Sequence, residues 1–298
     1  MVQDGVTNPL EAELAHQALE VEPGVRLHGV ERGAGPLVVL LHGFPEFWYA
    51  WRYQIPALAA AGLRVVAPDL RGYNLSDKPR GVAAYTVDVL ARDVARLIEG
   101  CGAERASVVG HDWGGLIAWS FAMRYPQRLE RLAILNAPHP ATFRRALRRL
   151  PQLRKSWYVF FFQLPWLPEA LARATNYAFI RAALRHEPVR PGAFSDADVQ
   201  RYVEAIARPG ALTAGINYYR AAFSRRQLRE ARQPRRIEAP VLVIWGERDR
   251  YLLPELAQPD PAWVPNARVE RLPNASHWVQ ADQPQRVNEL LIDFLRPS

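Results

Sequence analysis

The chain has 298 residues, 49% hydrophobic and 23% charged, with 38 Lys and Arg against 30 Asp and Glu for a formal net charge of +8. These proportions exclude disordered, collagen-like and coiled-coil classes and leave one large globular domain or two small ones. A single cysteine, Cys101, excludes an intrachain disulfide and a thiolate metal site.

The opening Met1 to Gly5 has no basic segment leading into an apolar one, and no apolar run reaches transmembrane length, so a cytoplasmic protein is expected. Ala18 to Val21 and Arg26 to Val30 alternate partially on either side of Glu22-Pro23-Gly24, the pattern of a hairpin. Leu37 to Leu41 is a continuous apolar run, Trp48 to Ala61 has helical spacing, and Leu63 to Ala67 is a second buried-type run ending at Pro68. Thr86 to Glu99 carries an amphipathic stripe (Val87, Leu90, Val94, Leu97, Ile98) that Gly100 and Gly102 stop. Ser107 to Gly110 reads as a strand, Gly114 to Tyr125 as a helix and Arg131 to Leu135 as a strand. Alternation of this kind predicts an α/β fold, a mostly parallel central sheet with helices on both faces and right-handed crossovers.

From Pro138 to about Arg236 the strand-like runs cease, and Pro151, Pro165, Pro168, Pro188, Pro191 and Pro209 punctuate short helical pieces. Val241 to Trp245 and Arg268 to Leu272 then read as strands, followed by a closing helix from about Gln283 to Leu295. The expected organisation is a core of residues 1–138 and 237–298 with an inserted helical cap, 139–236. Arginines cluster at Arg144, Arg145, Arg148, Arg149 and Arg154 and again between Arg225 and Arg236. No recognised nucleic-acid motif accompanies them, so a solvated face is the reading, with no nucleic-acid partner. Trp157 to Leu167 is apolar enough to touch a membrane and too short to span one.

The strand ending at Val109 leads into Gly110-His111-Asp112-Trp113-Gly114-Gly115 and then a helix, the pattern of a nucleophile elbow presenting Asp112. Residue type sets the chemistry here. A serine attacking a saturated carbon leaves an ether that water does not readily cleave, whereas a carboxylate leaves an ester. Asp112 therefore suits displacement at an sp3 carbon followed by hydrolysis of the enzyme's own ester; the plainer alternative is a helix cap. The second step needs a base, and His277 follows the last predicted strand, at the edge where such sheets collect ligands. Asp249, after Val241 to Trp245, completes the order nucleophile, acid, histidine. Glu247 is the rival acid, and Asn136 has no charge to offer. Leu41-His42-Gly43-Phe44-Pro45 follows the first parallel strand, where this topology places one oxyanion donor. The expected pair is the backbone N–H groups of Phe44 and Trp113, with His42 architectural; a simple strand-ending turn is the alternative.

From about Ala18 to Leu295 the chain resembles an α/β-hydrolase of the epoxide hydrolase family. The resemblance rests on His42-Gly43-Phe44-Pro45, Asp69-Leu70-Arg71-Gly72-Tyr73, Gly110 to Gly115 and Ser276-His277-Trp278. Trp157 to Pro165 is similar to the family segment that carries a ring-opening tyrosine five residues before a glutamine, which implies Tyr158. Asn217-Tyr218-Tyr219-Arg220 is similar to the segment carrying the second, immediately before an arginine, which implies Tyr219 rather than Tyr218. Asn74 departs from the glycine that relatives often have, but asparagine tolerates positive φ. Asp69 and Asp77 read as loop-forming.

The resemblance implies conversion of an epoxide and water to a vicinal diol, with no metal and no organic cofactor. Phe160, Phe161, Phe162, Trp166 and Trp113 suggest an apolar cleft and hence a small hydrophobic or aryl epoxide. A homodimer is compatible with the sequence. Two alternatives stand beside this reading. A haloalkane dehalogenase would use the same Asp, His and Asp with Trp113 as halide donor, although Tyr158, Tyr219 and Phe44 speak against it. Fluoroacetate dehalogenases resemble one another in carrying arginines where this chain has Trp113 and Leu116. A ligand-binding relative without turnover would keep the fold alone.

Overall fold

The computed structural model describes residues 13–223 and 234–296. The opening Met1 to Gly5 and most of the second arginine cluster lie outside the described residues. Eight strands form one sheet: β1 (Ala15–Glu22), β2 (Val25–Arg32), β3 (Leu37–Leu41), β4 (Arg64–Pro68), β5 (Ala106–His111), β6 (Leu129–Leu135), β7 (Val241–Gly246) and β8 (Ala267–Leu272). Their order is β1-β2-β4-β3-β5-β6-β7-β8. β1 and β2 form the antiparallel hairpin, turning at Gly24 with φ 77°, and β2 runs antiparallel to β4. From β4 through β8 every neighbouring pair is parallel. All five residues of β3 and all six of β5 and β7 are buried, because helices cover a parallel sheet on both faces and leave no solvent side to encode.

The helices among the described residues of the sheet portion are α1 (Gln54–Ala60), α2 (Val87–Gly100) and α3 (Trp113–Arg124), then, beyond β8, α11 (Val279–Asp282) and α12 (Pro284–Leu295). α2 packs on α3, and α1 on α12. The single helix expected over Trp48 to Ala61 is broken: Trp48–Trp51 is a 3-10 turn, and α1 starts only at Gln54. Pro56 is the physical reason that the second piece stands alone, since a residue without an N–H is tolerated only in a helix's first turn. Asp69 Oδ1 accepts the Trp48 N–H at 3.0 Å and fixes the preceding turn.

Between β6 and β7 the described residues form helices and no strand: α4 (Pro140–Ala146), α5 (Leu150–Lys155), α6 (Trp157–Phe161), α7 (Leu167–Ala174), α8 (Ala178–His186), α9 (Asp196–Ala207) and α10 (Ala211–Ala222). Proline stands in the first turn of α4, α5 and α7, where its missing N–H costs nothing. Ser195 and Asp198 close α9 with a reciprocal capping box. Among the described residues no helix is long and apolar enough to cross a membrane.

Candidate active site

The turn from β5 into α3 puts Asp112 at φ 51°, a conformation that L side chains rarely adopt. Glycines make it feasible. A Cβ on Gly110 would collide with the Gly114 carbonyl, and one on Gly114 with the Leu41 carbonyl, so strand, elbow and helix close up only without side chains there. Opposite the elbow, the loop after β3 approaches equally closely. A Cβ on Gly43 would lie 2.5 Å from Asp112 Cβ and 2.7 Å from its Oδ1. That approach lets the Phe44 N–H donate to Asp112 Oδ1 at 2.9 Å. Trp113 is the first residue of α3, a position whose N–H has no intrahelical acceptor.

His277 lies between two carboxylates. Its Nδ1 is 2.8 Å from Asp249 Oδ2 and its Nε2 is 3.5 Å from Asp112 Oδ2. Asp249 is itself held by the N–H groups of Tyr251 at 2.7 Å and Leu252 at 2.9 Å and by the Asn136 amide at 2.7 Å. Asn136 also accepts from the Gly246 N–H at 2.8 Å, so the residue set aside for lacking charge serves as the clamp on the acid. The rival Glu247 faces outward toward Arg271, 3.5 Å away. Burial opposes ionisation of Asp112, yet the hydrogen bond and charge of His277 outweigh it and hold the carboxyl below its usual range. The same balance, led by burial and overcome by His277 and Asn136, holds Asp249 low. Burial works against a proton on His277, but Asp249 and Asp112 together push the imidazole well above its ordinary value.

A second layer has no signature in the sequence. Glu46 accepts from the Gly43 N–H at 2.9 Å and lies 2.8 Å from His111 Nδ1, while His111 Nε2 meets the His277 carbonyl at 2.9 Å. The Gln280 amide donates to Glu46 at 3.2 Å. Burial resists a charge on Glu46, but His111 and the Gly43 N–H keep the carboxyl below its usual range. This cluster ties the oxyanion loop, the elbow and the histidine loop together. His42 is neutral by geometry: Nε2 accepts the Leu70 N–H at 2.9 Å, which leaves the proton on Nδ1 to donate to the Gly43 carbonyl at 2.8 Å. Asp69 gathers His28, Trp48 and Asn74, and Asn74 has φ 39°. Asp77 accepts the Arg26 N–H at 2.7 Å, joining the same loop to β2.

A cavity of about 540 Å³ opens above Asp112, walled by Trp113, Tyr158, Tyr219, Tyr251, Leu252 and His277. It continues along α3 past Leu116, Ser120 and Met123, residues on one helix face. Tyr219 lies edge-on to Trp113, with ring centroids 4.9 Å apart, and 5.9 Å from Tyr158. Tyr218 turns the other way and donates to the Arg71 carbonyl at 2.7 Å. Burial first, then the Asp112 charge, pushes the Tyr158 and Tyr219 phenols well above their usual value, so both stay protonated donors. Gln163 and Arg220 lock the two tyrosine helices together. Gln163 donates to the carbonyls of Val159 at 2.9 Å and Tyr219 at 3.2 Å, and Arg220 to those of Phe162 at 3.1 Å and Leu164 at 2.7 Å. Of the aromatics expected in the cleft, Trp113 and Phe160 line the cavity, Phe162 is packed against Tyr219, and Trp166 is exposed.

Among the described residues no group of three or more His, Cys, Asp or Glu is arranged to hold a metal ion.

Residues 36–284 match the family model described as the alpha/beta hydrolase fold. The AB hydrolase superfamily protein YfhM of Bacillus subtilis is 44% identical over 276 residues, covering 92% of this chain and 95% of that protein. Human epoxide hydrolase 4 is 39% identical over 284 residues, covering 92% of this chain and 77% of its own. The solved structure of the Bacillus megaterium epoxide hydrolase with an inhibitor superposes with a TM-score of 0.84 at 37% identity, over 94% of this chain and 99% of that one. The chain belongs to the α/β-hydrolases and, within them, to the epoxide hydrolase family.

Proposed function

We propose that this enzyme converts hydrophobic epoxides and water to vicinal diols through a covalent ester on Asp112. One observation carries the reading: two phenols that stay protonated, Tyr158 and Tyr219, share a cavity with a carboxylate whose other neighbour is a histidine. Residues 139–236 act as a cap that brings the tyrosines over a core of 1–138 and 237–298. The epoxide sits between them. Asp112 Oδ2 attacks a ring carbon, the carbon–oxygen bond breaks, and the leaving oxygen takes the proton of one phenol while the other phenol donates a hydrogen bond to it.

His277, oriented by Asp249, then removes a proton from water as the water oxygen adds to the Asp112 ester carbon. The oxyanion on Oδ1 is held by the Phe44 and Trp113 N–H groups. Collapse breaks the bond between the carbonyl carbon and Oδ2, the departing diol oxygen takes the proton left on the added water oxygen, and the proton held by His277 returns to the phenolate, so that carboxylate and phenol are both restored. No step calls for a metal or an organic cofactor. The relatives named epoxide hydrolases support the overall reaction, epoxide hydrolysis.

Replacing His277 by Gln tests it. Alkylation continues while hydrolysis loses its base, so intact mass spectrometry is expected to show protein plus one whole epoxide. An unmodified mass with full turnover would overturn the assignment.

A further inference from the structure

The cap carries a charge asymmetry that the chemistry does not use. Residues 139–236 hold 19 Lys and Arg against 6 Asp and Glu, whereas the remainder holds 19 against 24. All the net positive charge therefore belongs to the cap, and the core is acidic. The same segment exposes large apolar side chains: Trp166 is 71% exposed, Leu150 66%, Trp157 65%, Leu171 49% and Phe160 45%. Five large apolar side chains this exposed within 22 consecutive residues are more than the single scattered ones a surface ordinarily carries. From 148 to 173 the one carboxylate is Glu169, which is buried and paired with Arg220, so no negative charge faces outward among them. Arg148, Arg154 and Arg173 are exposed and have no carboxylate partner among the described residues.

We propose that the exposed side chains of residues 148–173 form one surface of the cap and that this surface docks on an anionic lipid surface. Tryptophan and leucine side chains enter the headgroup region, where amphipathic indoles concentrate, and Arg148, Arg154 and Arg173 meet acidic headgroups. Phe160 belongs to the exposed set and also lines the active-site cavity. The docked enzyme would thus take lipophilic epoxides directly from the membrane; this second step alone rests on the proposed hydrolase function. Charge selects the occupant. A second copy would set one cap of strong positive charge against another, and a nucleic acid would leave the tryptophans and leucines without an apolar partner.

The test is cosedimentation of the full chain, without substrate, on phosphatidylcholine vesicles with and without phosphatidylglycerol. Binding is expected only with the anionic lipid, and it should fall as salt rises. The triple variant Arg148→Ala, Arg154→Ala, Arg173→Ala should bind roughly a hundredfold more weakly, at about fivefold per cation near the surface. The pair Trp157→Ser and Trp166→Asn should also release the protein; asparagine suits the φ of 53° at 166. Unchanged melting temperature and unchanged hydrolysis of a water-soluble epoxide would show that both variants are folded. No association with anionic vesicles, or association indifferent to the tryptophans, overturns the proposal. So does a dimer that the tryptophan pair dissolves while vesicles remain unbound, or binding to duplex DNA in place of vesicles. Vesicle binding without any epoxide turnover would sink the hydrolase function and leave the docking surface standing.

Discussion

Phe44 and His277 divide the Asp112 carboxylate between them: the Phe44 N–H donates to Oδ1 at 2.9 Å, and His277 Nε2 stands 3.5 Å from Oδ2. The two oxygens are therefore inequivalent before any substrate arrives. In the proposed mechanism Oδ1 already occupies the oxyanion site, and Oδ2 is the oxygen available for attack. On the same proposal the new diol oxygen comes from Asp112, and the water oxygen stays in the enzyme. A single turnover with enzyme in excess, run in heavy-oxygen water, should yield unlabelled diol and one heavy oxygen in the peptide containing Asp112. Label in the first diol and none in Asp112 would mean that water attacks the epoxide directly.

Gly43 lies so close to Asp112, the proposed nucleophile, that a Cβ at this position would stand only 2.7 Å from Oδ1. Gly43→Ala must therefore displace either the loop or the carboxylate and break the Phe44 contact. Ångström-scale misplacement of reacting groups costs about a hundredfold, and overpacking costs about 1–3 kcal/mol of stability. Single-turnover alkylation should fall by roughly that factor while the protein still melts cooperatively. An alkylation rate equal to the parent's would remove the geometric role assigned to this glycine.

The raised pKa of His277 depends on Asp112 as well as Asp249. A raised value means that the imidazole keeps its proton to higher pH in the free enzyme. In the proposed mechanism esterification neutralises Asp112 and leaves Asp249 as the main support, so the pKa falls and neutral base forms at the step that consumes it. Asp112→Asn mimics the loss of charge. Its His277 titration, followed by NMR, should have a lower midpoint than the parent's, and the acid limb of ester hydrolysis should lie below the free-enzyme titration. An unmoved midpoint would show that Asp112 exerts no such hold.

The alternating strands and helices were legible because buried parallel strands are continuous apolar runs, as Leu37–Leu41 is, and because the elbow glycines mark a place where backbone meets backbone. Chain order also picks out Asp112, Asp249 and His277, which the structure brings together. Long-range support was not legible. Glu46, His111 and Gln280 meet from three distant segments, and none belongs to a local pattern that announces the contact. Asn136 has no charge to mark it, and its contribution is instead a donor and an acceptor at the end of β6. The break at residues 52–53 was hidden because apolar spacing reports which face is buried, and a 3-10 turn followed by a helix can bury the same face.

In the role proposed for them, Tyr158 and Tyr219 separate epoxide opening from carbon–halogen cleavage on one catalytic core. An epoxide's leaving oxygen remains attached to the product as a developing alkoxide and needs donors on the cap side, whereas halide departs as a stable anion. Both phenols have pKa values well above the usual one, so they remain neutral donors into alkaline solution and should add no alkaline limb below pH about 10. Loss of one oxyanion donor typically removes about 2.7–4 kcal/mol of transition-state stabilisation, roughly a hundredfold to a thousandfold in rate. Tyr158→Phe and Tyr219→Phe should each slow alkylation by an epoxide, by a smaller factor where the remaining phenol compensates, and the double variant should nearly abolish it. Single-turnover measurement isolates this step from ester hydrolysis. Alkylation at the parent rate in both variants, or halide release by a parent that leaves every epoxide untouched, would hand the site to the dehalogenase alternative.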